Sequence, residues 1–240
     1  MTGLLAGKRS VITGASSGIG LAIAQAFAEA GSDLVIAARD RKKLDAAAQA
    51  LRVFGPSITA VPADLTKDED ISRLFAAAGD IDILINNAGG NVRARTEDMT
   101  PAQWRSVIDL NVTAAFLCAQ AAFRNMLPRK SGRIINIGSV SAKVSRRNSI
   151  AYTTSKFALE GMTRAMALDG RSHGIAVSIL QPGNTESAIW EGQEELVAKE
   201  GIMPASEVAR TALLMATLPP GINMLEAVML PLTMPFLGRG

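Results

Sequence analysis

A strand that runs straight into a glycine-rich turn and then into an alanine-rich helix constrains this chain more than any other stretch. Lys8–Thr13 ends with the apolar pair Val11-Ile12. Gly14-Ala15-Ser16-Ser17-Gly18-Ile19-Gly20 follows, and then Leu21–Ala30, closed by Gly31. This order predicts a buried strand, a tight turn and a helix. Glycines let the backbone turn sharply and approach an anion, and the free N–H groups at a helix start then face that anion. The spacing is G-x-x-x-G-x-G, a variant of the dinucleotide phosphate loop rather than its usual G-x-G-x-x-G form.

The rest of the chain repeats the alternation. Strands are predicted at Asp33–Ala38, Ile58–Val61, Ile81–Ile85, Arg133–Ile137, Ile175–Leu180 and Leu225–Leu230. Between them lie helices at Arg41–Phe54, Thr66–Ala78 (Thr66 as N-cap), Pro101 to about Leu127, Ile150–Leu168 and Pro204–Leu218. Asn184–Met203 reads as polar and irregular. Strands and helices of these lengths in alternation imply an α/β fold with parallel strands joined by crossovers. No repeat or linker divides residues 1–240, so one domain is expected.

Composition narrows the function. A net charge of +3, with scattered basic residues, argues against nucleic acid. The single cysteine, Cys118, cannot close an internal disulfide and suggests a reducing, cytoplasmic compartment. The single histidine, His173, excludes a multi-histidine metal site and argues against a Ser-His-Asp triad; no metal is expected. Neither a leader peptide nor an apolar run of membrane-spanning length is evident, so no membrane association is expected. Alanines at 114, 115, 119, 121 and 122 suit close helix packing, with a subunit interface as one use.

Two positions bear on chemistry directly. Strand Asp33–Ala38 is followed by Arg39, whose guanidinium can pair with a 2′-phosphate, so NADP (as NADPH) is favoured over NAD. Asp40, one residue on, would accept from a ribose hydroxyl instead if the register shifted. Tyr152 is the only tyrosine, and Lys156 stands four residues later on the same helical face. A phenol titrates near pH 10, so bringing it to neutrality takes about 4 kcal/mol. An ammonium ~4–5 Å away supplies about 3–4 kcal/mol at an effective dielectric of 20. The spacing therefore predicts a proton-transferring tyrosine with a lowered pKa.

Taken together, Thr13-Gly14-Ala15-Ser16-Ser17-Gly18-Ile19-Gly20, Asp64-Leu65, Asn86-Asn87-Ala88-Gly89, Asn111, Ser139, Tyr152-x-x-x-Lys156 and Pro182-Gly183 resemble the short-chain dehydrogenase/reductase family over essentially the whole chain. The resemblance implies a Rossmann-type, doubly wound, seven-stranded parallel sheet with helices on both faces. It also implies a nicotinamide cofactor and assembly into a dimer or tetramer. Gly14, Ser16, Ser17, Gly18, Ile19 and Gly20 would then hold the pyrophosphate, Asp64 and Leu65 the adenine, and Asn87, Ala88 and Gly89 the adenosine ribose side. Ser139, preferred to Ser141, would bond the substrate oxygen and Tyr152 would transfer the proton. Lys156 would bind the nicotinamide ribose, and Asn111 would anchor a water serving Lys156. Pro182, Gly183, Thr185 and Ser187 would stand at the carboxamide, although the usual aliphatic residue is missing there.

The implied reaction is hydride exchange between nicotinamide and a small ketone or secondary alcohol. A 3-oxoacyl-[acyl-carrier-protein] reductase, with Lys130 and Arg171 docking the carrier, and a non-catalytic NADP-binding regulator are the alternatives. Pocket walls are expected from Asn91–Arg95, Val140–Ser149 and the substrate loop 184–203. Arg93 and Arg146 could bind an anionic substrate or be solvated. Trp190 could cover the substrate or pack its loop.

Overall fold

A computed structural model describes residues 3–186 and 194–236. Strands β1 (Arg9–Thr13), β2 (Asp33–Ala38), β3 (Ile58–Pro62), β4 (Ile83–Asn86), β5 (Gly132–Ile137), β6 (Ile175–Pro182) and β7 (Glu226–Met229) form one sheet in the order β3-β2-β1-β4-β5-β6-β7. Every neighbouring pair is parallel. Strand order reverses between β1 and β4, which opens a crevice beyond their C-terminal ends.

Alternation along the strands divides the core into two layers. Ile12, Leu34, Ile36, Ile83, Ile85 and Ile135 face helices α1 (Gly18–Glu29), α2 (Arg41–Leu51) and α8 (Ala205–Ala216), meeting Phe27, Leu44 and Val208. Val11, Val35, Leu84, Ile134 and Val177 face α3 (Asp68–Ala78) and α5 (Ala115–Met126), meeting Leu74, Cys118 and Met126. Each fully buried Leu or Ile contributes roughly 1.5–3 kcal/mol. Because both faces are covered, the strands read as continuous apolar runs. Helices α4 (Pro101–Ile108), α6 (Ile150–Arg171) and α7 (Glu194–Glu200) complete the described elements.

Several sequence expectations need correction. The helix predicted from Pro101 to Leu127 is interrupted by a π-turn over Asp109–Ala114, centred on Asn111. Thr66 does not cap α3. The N-cap is Lys67, and the Thr66 hydroxyl donates to Asp64 instead (2.8 Å). The stretch read as irregular contains α7. One helical run, Pro101–Arg129, does reach the length and apolarity of a membrane span. Its apolar side, including Val107, Cys118 and Met126, is buried against the rest of the chain. Ala114, Ala115, Ala119 and Ala122 are buried within the chain as well, so close helix–sheet packing rather than a subunit interface accounts for them.

Candidate active site

The glycine-rich turn lies at the switch point and lines a groove of about 430 Å³. Gly14 and Gly18 both hold positive φ (67° and 54°), a conformation costly for other residues. A Cβ on Gly20 would stand 2.3 Å from the Gly14 carbonyl and 2.4 Å from the Asn87 amide, so only glycine lets the turn close on its neighbours. Helix α1 begins at the groove, and its N-cap, Ser17, makes no side-chain cap. By contrast, Asp40 caps α2, and Thr100 with Gln103 forms a capping box on α4. The first N–H groups of α1 therefore face the groove without an internal acceptor, an arrangement that fits a pyrophosphate.

Buried amides hold the walls of the groove in place. The Thr13 hydroxyl accepts from the backbone N–H groups of Asn87 and Ala88 (both 3.0 Å). Asn87 Nδ2 returns bonds to the carbonyls of Thr13 and Gly14 (2.9 and 3.2 Å). Asn111, on the π-turn, donates to Gly90 O (2.9 Å) and Ser155 Oγ (3.0 Å) and accepts from Gly90 N (2.8 Å). Ser155 Oγ in turn donates to the Tyr152 carbonyl (2.7 Å). The Asn111 side chain thus locks the loop after β4 to helix α6. Beneath it, Asn86 Nδ2 donates to Asn136 Oδ1 (3.0 Å), and Asn136 Nδ2 donates to Thr163 Oγ1 (2.9 Å).

Tyr152 and Lys156 line the same groove. The Lys156 ammonium lies 5.4 Å from the centre of the phenol ring and donates to the Ile137 carbonyl (2.9 Å). Burial pushes the Tyr152 phenol above its ordinary value, while a hydrogen bond with Ser139 pulls the other way. Burial also takes Lys156 down to about 8. The expected lowering of the phenol by its neighbouring ammonium is therefore overturned. Desolvation is the largest influence on the phenol, and the Ser139 hydrogen bond offsets only part of it. At pH 7 the site holds a protonated phenol beside a cation. Ser139 Oγ also accepts from Ser141 N (3.1 Å), which fixes the turn that presents Ser139 to Tyr152.

The short chain dehydrogenase family model matches residues 8–197. The chain belongs to this family. Gluconate 5-dehydrogenase of Gluconobacter oxydans is 37% identical over 82% of this chain and 77% of its own length. D-xylose 1-dehydrogenase of Caulobacter vibrioides is 35% identical over 89% of this chain and 90% of its own. Among solved structures, L-sorbose reductase from Gluconobacter frateurii, complexed with NADPH and L-sorbose, superposes with a TM-score of 0.88 at 27% identity, covering 96% of this chain and 97% of that one. The chain is accordingly an oxidoreductase of the short chain dehydrogenase family, with sugar and alcohol dehydrogenases among its relatives.

Within this family member the groove receives Gly14, Ser16, Ser17, Gly18, Ile19, Arg39, Leu65, Asn87, Ala88 and Gly89 together with the tyrosine and lysine. Sequence reasoning missed Lys43, which lines the groove beside Arg39. Its position one turn into α2 was the available signal. Asp40 also borders the groove, but its carboxylate accepts from Lys43 N (3.0 Å) as the helix cap. Gly20 and Asp64 sit behind the lining. Asp64 accepts from the Thr66 hydroxyl and backbone, and Thr66, with a smaller contribution from Arg39, holds its carboxyl below the usual range.

Pro182, Gly183 and Thr185 also lie off the groove lining. Gly183 N donates to Met229 O at the end of β7, Thr185 Oγ1 donates to Gly183 O (3.0 Å), and Thr185 bridges to Met203. Ser187 and Trp190 fall outside the described residues. Of the two readings of Arg146 the solvated charge is corrected: Glu200 (2.5 Å) and Asn184 (3.0 Å) engage it, which ties the loop after β5 to the end of α7. Burial works against the Glu200 carboxylate, yet bonds from Arg146 and Asn184 keep it below its ordinary value. Arg93 is exposed on the loop after β4, and Ser141 is buried beside Ser139. Lys130 and Arg171 line a cavity with residues from the N-terminal ends of β5 and β6, the opposite edge from Tyr152.

Proposed function

We propose that this protein is an NADP-dependent reductase or dehydrogenase of a ketone or secondary alcohol on a small polyhydroxylated molecule. The observation that carries the reading is the convergence of two hydroxyls, Ser139 and a protonated Tyr152, beside Lys156 at one end of a dinucleotide-shaped groove. When bound, the nicotinamide supplies or accepts the hydride. Tyr152 donates its phenolic proton to the carbonyl oxygen as charge grows there, and Ser139 donates a hydrogen bond to the same oxygen. Lys156, as a cation, orients a ribose hydroxyl and stabilises the phenolate left behind. In the alcohol direction Tyr152 takes the proton back.

Arg39 and Lys43 together support the 2′-phosphate, since two cations border the groove while the nearby acid, Asp40, is occupied as a cap. The polyhydroxy substrate draws on the names of the relatives and on two buried polar atoms near the site. Asn91 Oδ1, on the loop after β4, and Thr153 Oγ1, next to the tyrosine, have no hydrogen-bond partner among the described residues. Residues 184–203 serve as the substrate loop, and residues 1–240 as one catalytic domain. Self-association belongs to the same reading, supported by exposed Phe116 on α5 and Phe157 on α6, as does a cytoplasmic location, supported by the buried free thiol of Cys118.

The test is to follow nicotinamide absorbance with sugar acids, sugars and simple ketones for the unaltered protein, Tyr152→Phe and Arg39→Asp. Tyr152→Phe is expected to lose about 10³-fold or more in turnover with cofactor binding intact. Arg39→Asp is expected to reverse a preference for NADP over NAD. Turnover that survives in Tyr152→Phe, or a native preference for NAD, would sink the corresponding part.

A further inference from the structure

A second cavity, of about 620 Å³, opens at the N-terminal edge of the sheet, a volume typical of small-molecule sites. Five basic side chains line it against one acid, Asp82. Not all five are available. Lys8 is paired with Asp82 (3.2 Å), whose other oxygen accepts from Arg9 N (2.9 Å). Arg164 is bound by Glu160 and Glu226 (both 2.9 Å). Arg133 spends its guanidinium on the carbonyls of Leu218, Pro219 and Ile222. Among the described residues no carboxylate pairs with the remaining two, Lys130 and Arg171.

The walls are apolar and built in advance. Leu4, Leu168, Ile222 and Leu225 line the cavity and are all exposed there. The segment carrying Ile222 and Leu225 is held by Arg133 and by Asn223, which accepts from Ser178 Oγ (2.6 Å) and donates to Val177 O (2.9 Å). Lys130 is fixed from behind. It stands in the left-handed region (φ 49°), and a Cβ on Gly174 would fall 2.2 Å from its carbonyl. Arg171 ends α6, one turn beyond Leu168.

We propose that this cavity is a second binding site, distinct from the cofactor groove, for a small amphiphilic monoanion: an aliphatic body against Leu168, Ile222 and Leu225 with its carboxylate on Lys130 and Arg171. Charge complementarity selects the occupant, because both unpaired cations border the exposed apolar wall. A cation would be repelled, and a fully polar anion would leave that wall wet.

Calorimetric titration of the full chain with octanoate, 1-octanol and acetate tests this. Octanoate is expected to saturate at one site, with octanol and acetate at least about tenfold weaker. A Lys130→Ser/Arg171→Ser variant is expected to weaken octanoate about tenfold or more while keeping turnover and melting temperature. Leu168→Glu is expected to weaken it through the tail. Three results would overturn the proposal: no saturable octanoate binding, binding indifferent to these substitutions, or octanol binding as tightly as octanoate. A change in sedimentation mass on Leu168→Glu with octanoate binding unaltered would assign the wall to a second copy of this chain instead. None of these measurements depends on turnover, so failure here leaves the active-site reading standing, and the converse.

Discussion

The two edges of the sheet handle charge in opposite ways. At the C-terminal edge Lys156 is buried and Tyr152 partly so, and desolvation drives both toward their neutral forms. The walls there are held by amide side chains that bond backbone across long sequence gaps, as Asn87 does to Thr13 and Asn111 to Gly90. At the N-terminal edge the cations keep contact with water. Three of them are satisfied, Lys8 and Arg164 by acids and Arg133 by loop carbonyls. A fold that only needed stability would not desolvate a lysine whose one hydrogen bond among the described residues is to a carbonyl, since that placement costs free energy. The contrast marks the C-terminal edge as the place where stability has been given up for chemistry.

Lys156→Met should break this contrast most. Turnover is expected to fall about 10³-fold or more, yet the protein should become more stable at pH 7. The unfolded chain keeps the Lys156 proton up to about 10.5 and the folded chain only to about 8. Below pH 8 the folded state therefore bears the full cost, on the order of 3 kcal/mol, and between 8 and 10.5 stability rises with pH. The gain from Lys156→Met should vanish across that window, as read by urea unfolding at pH 7, 9 and 10.5. A variant less stable than the parent at pH 7 would contradict this assignment.

Asn136→Leu should act at the same edge in the other direction. It strips a partner from both the Asn86 amide and the Thr163 hydroxyl, and about 2–3 kcal/mol of stability should be lost in the same unfolding assay. At the opposite edge, Arg133→Met is expected to cost about 1–2 kcal/mol through its loop carbonyls, with turnover unchanged. Lys8→Ala should be smallest, under about 0.5 kcal/mol and fading with added salt, because its ion pair is largely solvated. A larger loss for Lys8→Ala than for Asn136→Leu would reverse the comparison.

The parallel architecture was legible because its causes are local. Apolar strand runs, helix periodicity, and the punctuation of Gly31, Gly55-Pro56 and Pro128 all act over a few residues. The groove-forming turn was legible for the same reason. Thr66 misled because a hydroxyl three residues before an acid satisfies the capping pattern, whereas Asp64 offered it a nearer acceptor. The π-turn at Asn111 was not legible, since an extra residue in a helix turn depends on what the side chain bonds across space. The pairing of Arg146 was not legible because Glu200, its partner, lies fifty-four residues away.

From residue order alone came the strand–turn–helix unit, the parallel alternation, and the pairing of Tyr152 with Lys156 on one helical face, all consequences of backbone sterics and short-range periodicity. The tertiary structure decided that burial pushes both of those groups toward their neutral forms, that Asp40 caps helix α2, and which of the scattered cations lack a carboxylate partner among the described residues. Those outcomes depend on burial and on partners brought together across the sheet, and neither quantity is carried by neighbouring residues in the chain.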